Sequence, residues 1–185
     1  MDTLELLKKA RSGDRVARNQ LVEQNVGLVW NIVKRFHGRG YEADDIIGTL
    51  SAMAEKNDVM TYIATGDRDS LQLICDKTNV ILATNAEPVL FDTAKFQEKY
   101  GILPSQFVDV KALMGDSSDN ISGVAGIGEK TALKLIAEYG SLDALYEDLE
   151  QKPLSAGVIA KLLTGKKAAY DSQFLARIKR DAPLG

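Results

Sequence analysis

The sequence predicts a helix-rich α/β fold with a small sheet near the middle of the chain. Two short apolar runs rich in β-branched residues, 59–65 and 79–84, are typical of buried strands. Most of the remaining chain spaces its apolar residues at three and four positions, which is the period of an amphipathic helix. With 185 residues, of which 45% are hydrophobic, the chain can bury a substantial core.

Helices are predicted on both sides of the two strands. The helix that begins at Glu42 should bury one apolar stripe. That stripe consists of Ile46, Ile47, Leu50 and Met53. Pro104 suits the first turn of a helix, and Ser141 suits a helix cap. In chain order the predicted elements are helices over 1–37, a helix over 42–56, a strand over 59–65, a short helix over 70–75, strands over 79–84 and 87–91, helices over 91–100, 104–114, 129–138 and 141–149, and two helices within 155–180.

Two carboxylates stand three residues apart in the second half of the chain. Asp116 and Asp119 would lie on one face of a helical turn, and their oxygens are the ligands that a hard divalent cation prefers. A solvated acidic loop explains the same two residues without a metal. Their position directly before a glycine-rich turn favours the functional interpretation.

That turn consists of Gly126, Ile127 and Gly128, and a helix bearing Lys130 and Lys134 follows it. Glycine permits backbone angles closed to other residues, so a phosphate can approach the amides at the start of the helix. An ordinary corner between two helices explains the turn alone. Because the turn and the acidic pair lie together, we interpret the region as a nucleic-acid site.

Further acids lie at the ends of two other predicted elements. Glu42, Asp44 and Asp45 crowd the start of one helix, where a bound cation would relieve their mutual repulsion. Asp67 and Asp69 follow the first strand, at the sheet edge where α/β folds place their chemistry. An exposed acidic helix start is the simpler alternative for the first group.

The net charge of −3 conceals an uneven distribution along the chain. Residues 1–40 carry +4, residues 41–150 carry −12 and residues 151–185 carry +5. An acidic centre between basic ends suits a carboxylate metal site beside a surface that follows DNA. Charges that merely solvate helix faces would give a similar distribution.

The composition argues against several other classes. The single cysteine, Cys75, cannot form an internal disulfide, and its apolar surroundings favour a small core residue over a nucleophile. The single histidine, His37, has no second histidine or thiol at ligand spacing, which argues against zinc. Neither a leader nor an apolar run long enough to span a bilayer is present, so we expect a cytoplasmic protein without a membrane partner.

Two stretches carry a resemblance to a known family, DSSDN at 116–120 and GIGEKTA at 126–132. They resemble the metal-binding and helix-hairpin-helix region of the 5' nuclease domain of bacterial DNA polymerase I, a relative of the flap endonucleases. The resemblance runs from about Gly40 to the C-terminus. It implies a bacterial protein with a partial PIN-like parallel sheet and a helix-hairpin-helix (helix-three-turn-helix) subdomain.

The resemblance implies a divalent-metal-dependent 5'-3' exonuclease or flap endonuclease that acts on double-stranded or 5'-flap DNA. Because the ligand set holds no histidine or thiolate, Mg²⁺ or Mn²⁺ is expected in a two-metal site. The resemblance also implies K⁺ at the hairpin. The implied catalytic residues are Asp67 and Asp116. The implied metal ligands are Glu42, Asp44, Asp45, Asp67, Asp69, Asp116 and Asp119. The implied DNA contacts are Gly126, Ile127, Gly128, Lys130, Thr131 and Lys134.

In that family the N-terminal half of the core supplies further metal-binding aspartates and an arch through which the 5' end passes. Residues 1–39 match neither feature. We therefore expect an impaired nuclease. A catalytically inactive module that binds duplex DNA is the alternative.

Residues 1–45 resemble a second family, the start of the core-binding region of bacterial sigma factors. The two resemblances meet at residues 40–45, GYEADD, which suggests a fusion at this hexapeptide. A fragment that contacts RNA polymerase is therefore a second alternative. Because the sigma resemblance stops at this hexapeptide, the polymerase core is not expected as a partner. The chain then divides into a helical segment over 1–39, the remaining half of the nuclease core over 40–110, and the hairpin with the C-terminal helices over 111–185.

Overall fold

The computed structural model describes residues 3–17, 19–20, 24, 42–84 and 87–184. Its strands are β1 (Thr61–Thr65), β2 (Thr78–Leu82) and β3 (Val89–Phe91), and they form a sheet in the order β1-β2-β3. β1 and β2 are parallel, and β3 is antiparallel to β2. The sheet is therefore mixed, whereas the sequence predicts a parallel one. Residues 83–88 join β2 to β3, and this connection is too short for the crossover that parallel pairing requires.

The helices follow the predicted order. They are α1 (Thr3–Arg11), α2 (Ala43–Lys56), α3 (Thr93–Tyr100), α4 (Phe107–Met114), α5 (Glu129–Tyr139), α6 (Leu142–Tyr146) and α7 (Ala156–Ala176), with short 3-10 helices at Arg68–Leu73, Pro104–Gln106 and Leu149–Gln151. Side-chain caps set several of the starts. Asp92 accepts a hydrogen bond from Lys95 N at 2.8 Å, and Ser141 accepts one from Ala144 N at 3.1 Å, which confirms the predicted cap.

An aromatic cluster joins the sheet to the helices of the second half. The rings of Phe96 and Tyr100 on α3 lie 4.6 Å apart, and Phe107 at the start of α4 meets Phe96 edge-on at 5.5 Å. Phe91 on β3 stacks on Tyr100 at 6.3 Å. Such offset and edge-on pairs add to the free energy gained from apolar burial, so the start of α4 is held against α3, and α3 against β3.

Helix α7 is continuous, whereas the sequence predicts two helices over this stretch. Gly165 lies inside it and faces Val124, since a Cβ at Gly165 would lie 2.7 Å from Val124 Cγ1. The glycine allows close packing between α7 and the loop after α4, and it does not break the helix.

Two predictions of burial are wrong. On α2, Ile46 is buried, but Leu50 is 38% and Met53 is 49% exposed, because the buried face of the helix continues through Gly48, Thr49 and Ser51. Cys75 is half-buried, and its Sγ donates to Glu55 Oε1 at 3.1 Å rather than packing in the core.

Most of the predicted helical segment over residues 1–37, with His37, lies outside the described residues. The described part contains α1 and a turn at which Asp14 Oδ1 accepts hydrogen bonds from Val16 N and Ala17 N. Across the described residues, no helix is long and apolar enough to cross a membrane.

Candidate metal centre and DNA-binding hairpin

The start of α2 brings Glu42, Asp44 and Asp45 to one end of a cleft. Glu42 is the N-cap residue, and it shares a capping box with Asp45, whose Oδ2 accepts a hydrogen bond from Glu42 N at 3.3 Å. The other oxygen, Oδ1, accepts one from Lys179 N at 2.8 Å. Asp45 therefore holds both the helix start and the C-terminal segment in place while it lines the cleft.

Asp67 and Asp69 lie at the carboxyl end of β1, as predicted. Asp67 caps the 3-10 helix Arg68–Leu73, and its Oδ1 accepts a hydrogen bond from Asp69 N at 2.8 Å. This cap fixes the direction of Asp69, which is buried and forms an ion pair with Lys111.

Asp116 and Asp119 lie in a tight turn, which corrects the predicted helical turn. Helix α4 ends at Met114, because Gly115 has a φ of +74°, and a β-bridge then joins Asp116 to Ile121. The turn still brings the acids together. One carboxylate oxygen from each of Asp69, Asp116 and Asp119 lies within 4.8 Å of the others, a spacing that could hold a metal ion.

The three groups of acids meet at one cleft of about 200 Å³. Its lining consists of Glu42, Asp44, Asp45, Asp67, Asp69, Asp119, Ile121, Leu175, Ala176, Arg177 and Ile178. Asp116 reaches the same place through its closeness to Asp69 and Asp119. All seven predicted ligands are therefore brought together from distant parts of the chain.

Lys111 is a site residue that the sequence analysis missed. Its side chain is 3% exposed, and its Nζ forms ion pairs with both Asp69 and Asp116. A lysine within the apolar run of α4, a few residues before an acidic turn, was the available signal. The ammonium neutralises part of the negative charge at one end of the cleft.

The pKa values of two carboxyls shift in opposite directions. Burial, together with the nearby carboxylates of Asp67 and Asp69, raises the pKa of Asp44 from 3.8 to about 6. Hydrogen bonds from Lys111 and Ser118 hold the pKa of Asp116 well below its ordinary value. Burial alone would lower the pKa of Lys111, but its bonds to the two aspartates outweigh that effect and raise it. Lys111 therefore offsets carboxylate charge at the Asp116 end of the cleft, whereas neighbouring carboxylates add to the charge around Asp44.

The glycine turn forms the hairpin that the sequence predicts. Gly126 has a φ of +77°, which favours glycine, and Gly128 is the N-cap residue of α5. The side chain of Ile127 is buried, so only the backbone of this predicted DNA contact is available to a ligand. Lys130 and Lys134 are exposed on α5.

Two further contacts complete the hairpin. Thr131 is half-buried, and its N donates to Gly128 O at 3.0 Å within the first turn. Lys161 on α7 donates from Nζ to Gly126 O at 3.2 Å. An exposed helix start ringed by lysines is suited to phosphate.

This fold and site define an α/β protein with a helix-hairpin-helix subdomain and a cluster of carboxylates that could hold a metal ion. Two family models match, the 5'-3' exonuclease N-terminal resolvase-like domain over residues 17–101 and the 5'-3' exonuclease C-terminal SAM fold over residues 102–185. The chain belongs to the 5'-3' exonuclease family.

Among its relatives is DNA polymerase I of Lactococcus lactis, which is 47% identical over 156 residues; the match covers 82% of this chain and 18% of the relative. A solved structure of a T5 5'-exonuclease variant is 26% identical, has a TM-score of 0.65, and matches 74% of this chain and 55% of its own. The T5 D15 protein co-crystallised with metal ions is 25% identical, has the same TM-score, and matches 74% of this chain and 50% of its own.

The extent of the family match bears on the sigma-factor resemblance. The match begins at residue 17, within the segment compared with sigma factors. The sigma-factor resemblance and the fusion at residues 40–45 therefore receive no support.

Proposed function

We propose that this chain is a divalent-metal-dependent 5'-3' exonuclease or flap endonuclease of the DNA polymerase I type, acting on double-stranded or 5'-flap DNA. The observation that carries the proposal is the convergence of seven carboxylates on one cleft. The chain spans 18% of the length of its Lactococcus relative. Because residues 1–39 match neither the further metal-binding aspartates nor the arch of the resembled family, a low rate of cleavage is part of the proposal.

The donor set at the cleft fits Mg²⁺ or Mn²⁺. Its ligands are carboxylate oxygens, which hard divalent cations prefer, and no histidine or thiol is among the described residues that line the cleft. The pKa of Asp44 is raised because burial and neighbouring carboxylates disfavour its ionised form, and a bound cation would stabilise that form. The T5 D15 protein, a relative by fold and sequence, was co-crystallised with metal ions.

Each side chain has a distinct part in the proposed chemistry. When bound, divalent ions would polarise a phosphodiester and lower the pKa of water. Asp67 and Asp116 would bind them together with Asp69 and Asp119. Lys111 holds Asp69 and Asp116 close together before an ion arrives, and its hydrogen bond favours the ionised form of Asp116.

The hairpin would bind the duplex backbone. Its amides at Gly126–Gly128 and the charges of Lys130 and Lys134 suit phosphate, and Thr131 supports the first turn of α5. We extend the proposal to a potassium ion at the hairpin. Its support is the carbonyl of Gly126, which already accepts a hydrogen bond from a cation, the ammonium of Lys161.

This proposal divides the chain by task. Residues 40–110 would form the remaining nuclease core, and residues 111–185 would form the hairpin and the C-terminal helices. The family and the bacterial relative support a setting in the bacterial cytoplasm, where such DNA is found.

One experiment tests the activity. A 5'-labelled flap duplex is incubated with the purified chain in magnesium, in calcium and in EDTA, and bound DNA and cleaved product are read from the same samples. Cleavage in magnesium alone is expected, and Asp67→Asn should abolish it while binding persists. Binding without cleavage in any metal would identify the chain as an inactive DNA-binding module.

A second set of variants tests the hairpin. Replacing Lys130 and Lys134 together by alanine should weaken duplex binding about tenfold and flatten its salt dependence, because both would contact phosphate. Lys95→Ala on α3 is the matched control, since it also removes an exposed lysine from a helix. Equal affinities of the three proteins would remove the hairpin from the proposal.

A further inference from the structure

An ion pair joins the metal-binding loop to the DNA hairpin. Arg68 lies between Asp67 and Asp69, at the start of the 3-10 helix after β1. Its NH2 is 2.5 Å from Oε1 of Glu129, the first residue of α5 and the residue directly after Gly128. The pair thus spans 61 residues of sequence and links the two parts of the proposed site.

The guanidinium of Arg68 is held in place by more than its charge. It lies over the rings of Tyr100 and Phe107, 6.0 Å from each centroid. Phe107 begins α4, and one turn further along α4 Lys111 binds Asp69 and Asp116. Arg68 therefore contacts the sheet side, α4 and the hairpin at once.

Glu129 has no evident use as a DNA contact. A carboxylate in the first turn of α5 suits the helix dipole, but it repels the phosphate that the same turn would bind. Pairing with Arg68 neutralises it. Both side chains remain about 40% exposed, at 43% and 42%, so the pair adds little to the free energy of unfolding.

We infer that Arg68 and Glu129 are positioning residues that fix the distance between the metal-binding carboxylates and the DNA hairpin. The inference rests on the proposed function. With the duplex backbone held at the hairpin, this distance decides which phosphodiester reaches the cleft. The pair sets the position of cleavage, and neither side chain takes part in the chemistry.

The test is a double-mutant cycle with Arg68→Gln, Glu129→Gln and the variant carrying both, each used as the full chain on labelled flap DNA in magnesium. At saturating protein, each single change should spread the products over neighbouring positions and lower the single-turnover rate about fivefold, with the melting temperature unchanged. Duplex affinity should fall in Arg68→Gln, which leaves the Glu129 carboxylate unpaired, and should not fall in Glu129→Gln. The double variant should match the single ones. Arg15→Gln, which breaks the exposed Arg15–Glu87 pair, is the control and should leave products unchanged.

Two cleavage results would overturn the inference. One is a product pattern that stays identical to that of the unchanged chain. The other is a double variant whose rate is lowered by the product of the two single-variant factors, because the rate effects of residues that act independently multiply.

A second measurement needs no cleavage and separates this inference from the proposed function. Hydrogen exchange is followed in EDTA over residues 68–73 and 129–132. Each single variant should speed exchange in both segments, including the one that it leaves unaltered. Faster exchange confined to the substituted segment would overturn the inference, whereas a chain that shows coupled exchange and no cleavage would count against the proposed function alone.

Discussion

The two ends of the acidic cleft solve the same electrostatic problem in different ways. At the Asp116 end, the Lys111 ammonium lies between two carboxylates. The pKa of Asp116 falls, whereas burial keeps the pKa of Asp69 above its ordinary value even with Lys111 beside it. At the Asp44 end, the carboxyl meets other acids, and its pKa rises to about 6. One cluster of like residues therefore contains a stabilised half and a strained half.

The difference indicates where binding energy for a cation resides. A metal ion near Asp44 would relieve repulsion that the protein leaves in place, while an ion near Asp116 must share its ligands with a lysine. We therefore expect the Asp44 end to determine most of the affinity for a cation and the Asp116 end to determine where the cation is held. Substitutions at each end can separate these two contributions.

The largest expected effect belongs to Lys111→Met. It leaves Asp69 and Asp116 facing each other in a buried place without their cation, and breaking such a pair typically costs about 4 kcal/mol of unfolding free energy. Chemical denaturation of the metal-free protein measures the loss. Added magnesium should restore more stability to this variant than to the unchanged chain, because the ion takes the place of the ammonium.

Lys167→Met is the comparison for that result. It breaks the pair with Asp171, in which the two side chains are 88% and 59% exposed, and such pairs contribute about 0.5 kcal/mol or less. Similar losses in the two variants would mean that Lys111 acts as an ordinary surface charge, and the contrast between the two ends of the cleft would disappear.

The sequence reveals the acids of the cleft better than it reveals what holds them. The position of Asp67 and Asp69 after a strand was predictable, since the apolar run before them marks the strand end. The role of Lys111 was not, because its pairing with Asp69 depends on how α4 packs against the 3-10 helix Arg68–Leu73. Likewise, the end of α4 at Met114 was predicted, but the tight turn that follows was not, because it depends on the bridge between Asp116 and Ile121.

Long-range packing explains the remaining differences. Gly165 lies within a continuous α7 because Val124 lies against it, a contact 41 positions away that no local pattern displays. The antiparallel β3 follows from a short connection, which the predicted strands over 79–84 and 87–91 already implied, whereas the family resemblance implied a parallel sheet. Local composition predicts the elements, and tertiary contact decides their ends and directions.

A smaller effect is expected from Gly48→Ala on α2. A Cβ there would lie 2.6 Å from Ile178 Cγ2 and 2.8 Å from Lys179 O, so the segment whose N–H binds Asp45 must move. Overpacking of this kind outweighs the helix propensity of alanine, and we expect a loss of about 2 kcal/mol in thermal or chemical unfolding. Gly157→Ala on α7 is the control, because its Cβ would meet nothing within 4 Å and should stabilise slightly. A neutral Gly48→Ala would mean that the C-terminal segment does not hold the strained end.

The smallest effect, and the most direct test of the strained end, is Asp44→Asn. The pKa of Asp44 is about 6 in the folded chain against 3.8 for the ordinary group, so the folded state retains a proton that the unfolded state loses. The stability that this retained proton gives to the folded chain is fully present below pH 3.8 and is lost as the pH rises through about 6. Asparagine removes the charge, so the metal-free variant should be more stable than the unchanged chain at about pH 8. The expected gain is about 1 kcal/mol, after allowance for solvent screening of a partly exposed group. The gain should shrink towards about pH 5. Urea unfolding at the two pH values measures it. A gain that is equal at both values would place its origin outside the titration of Asp44, and a loss at high pH would mean that the cleft already compensates this carboxylate.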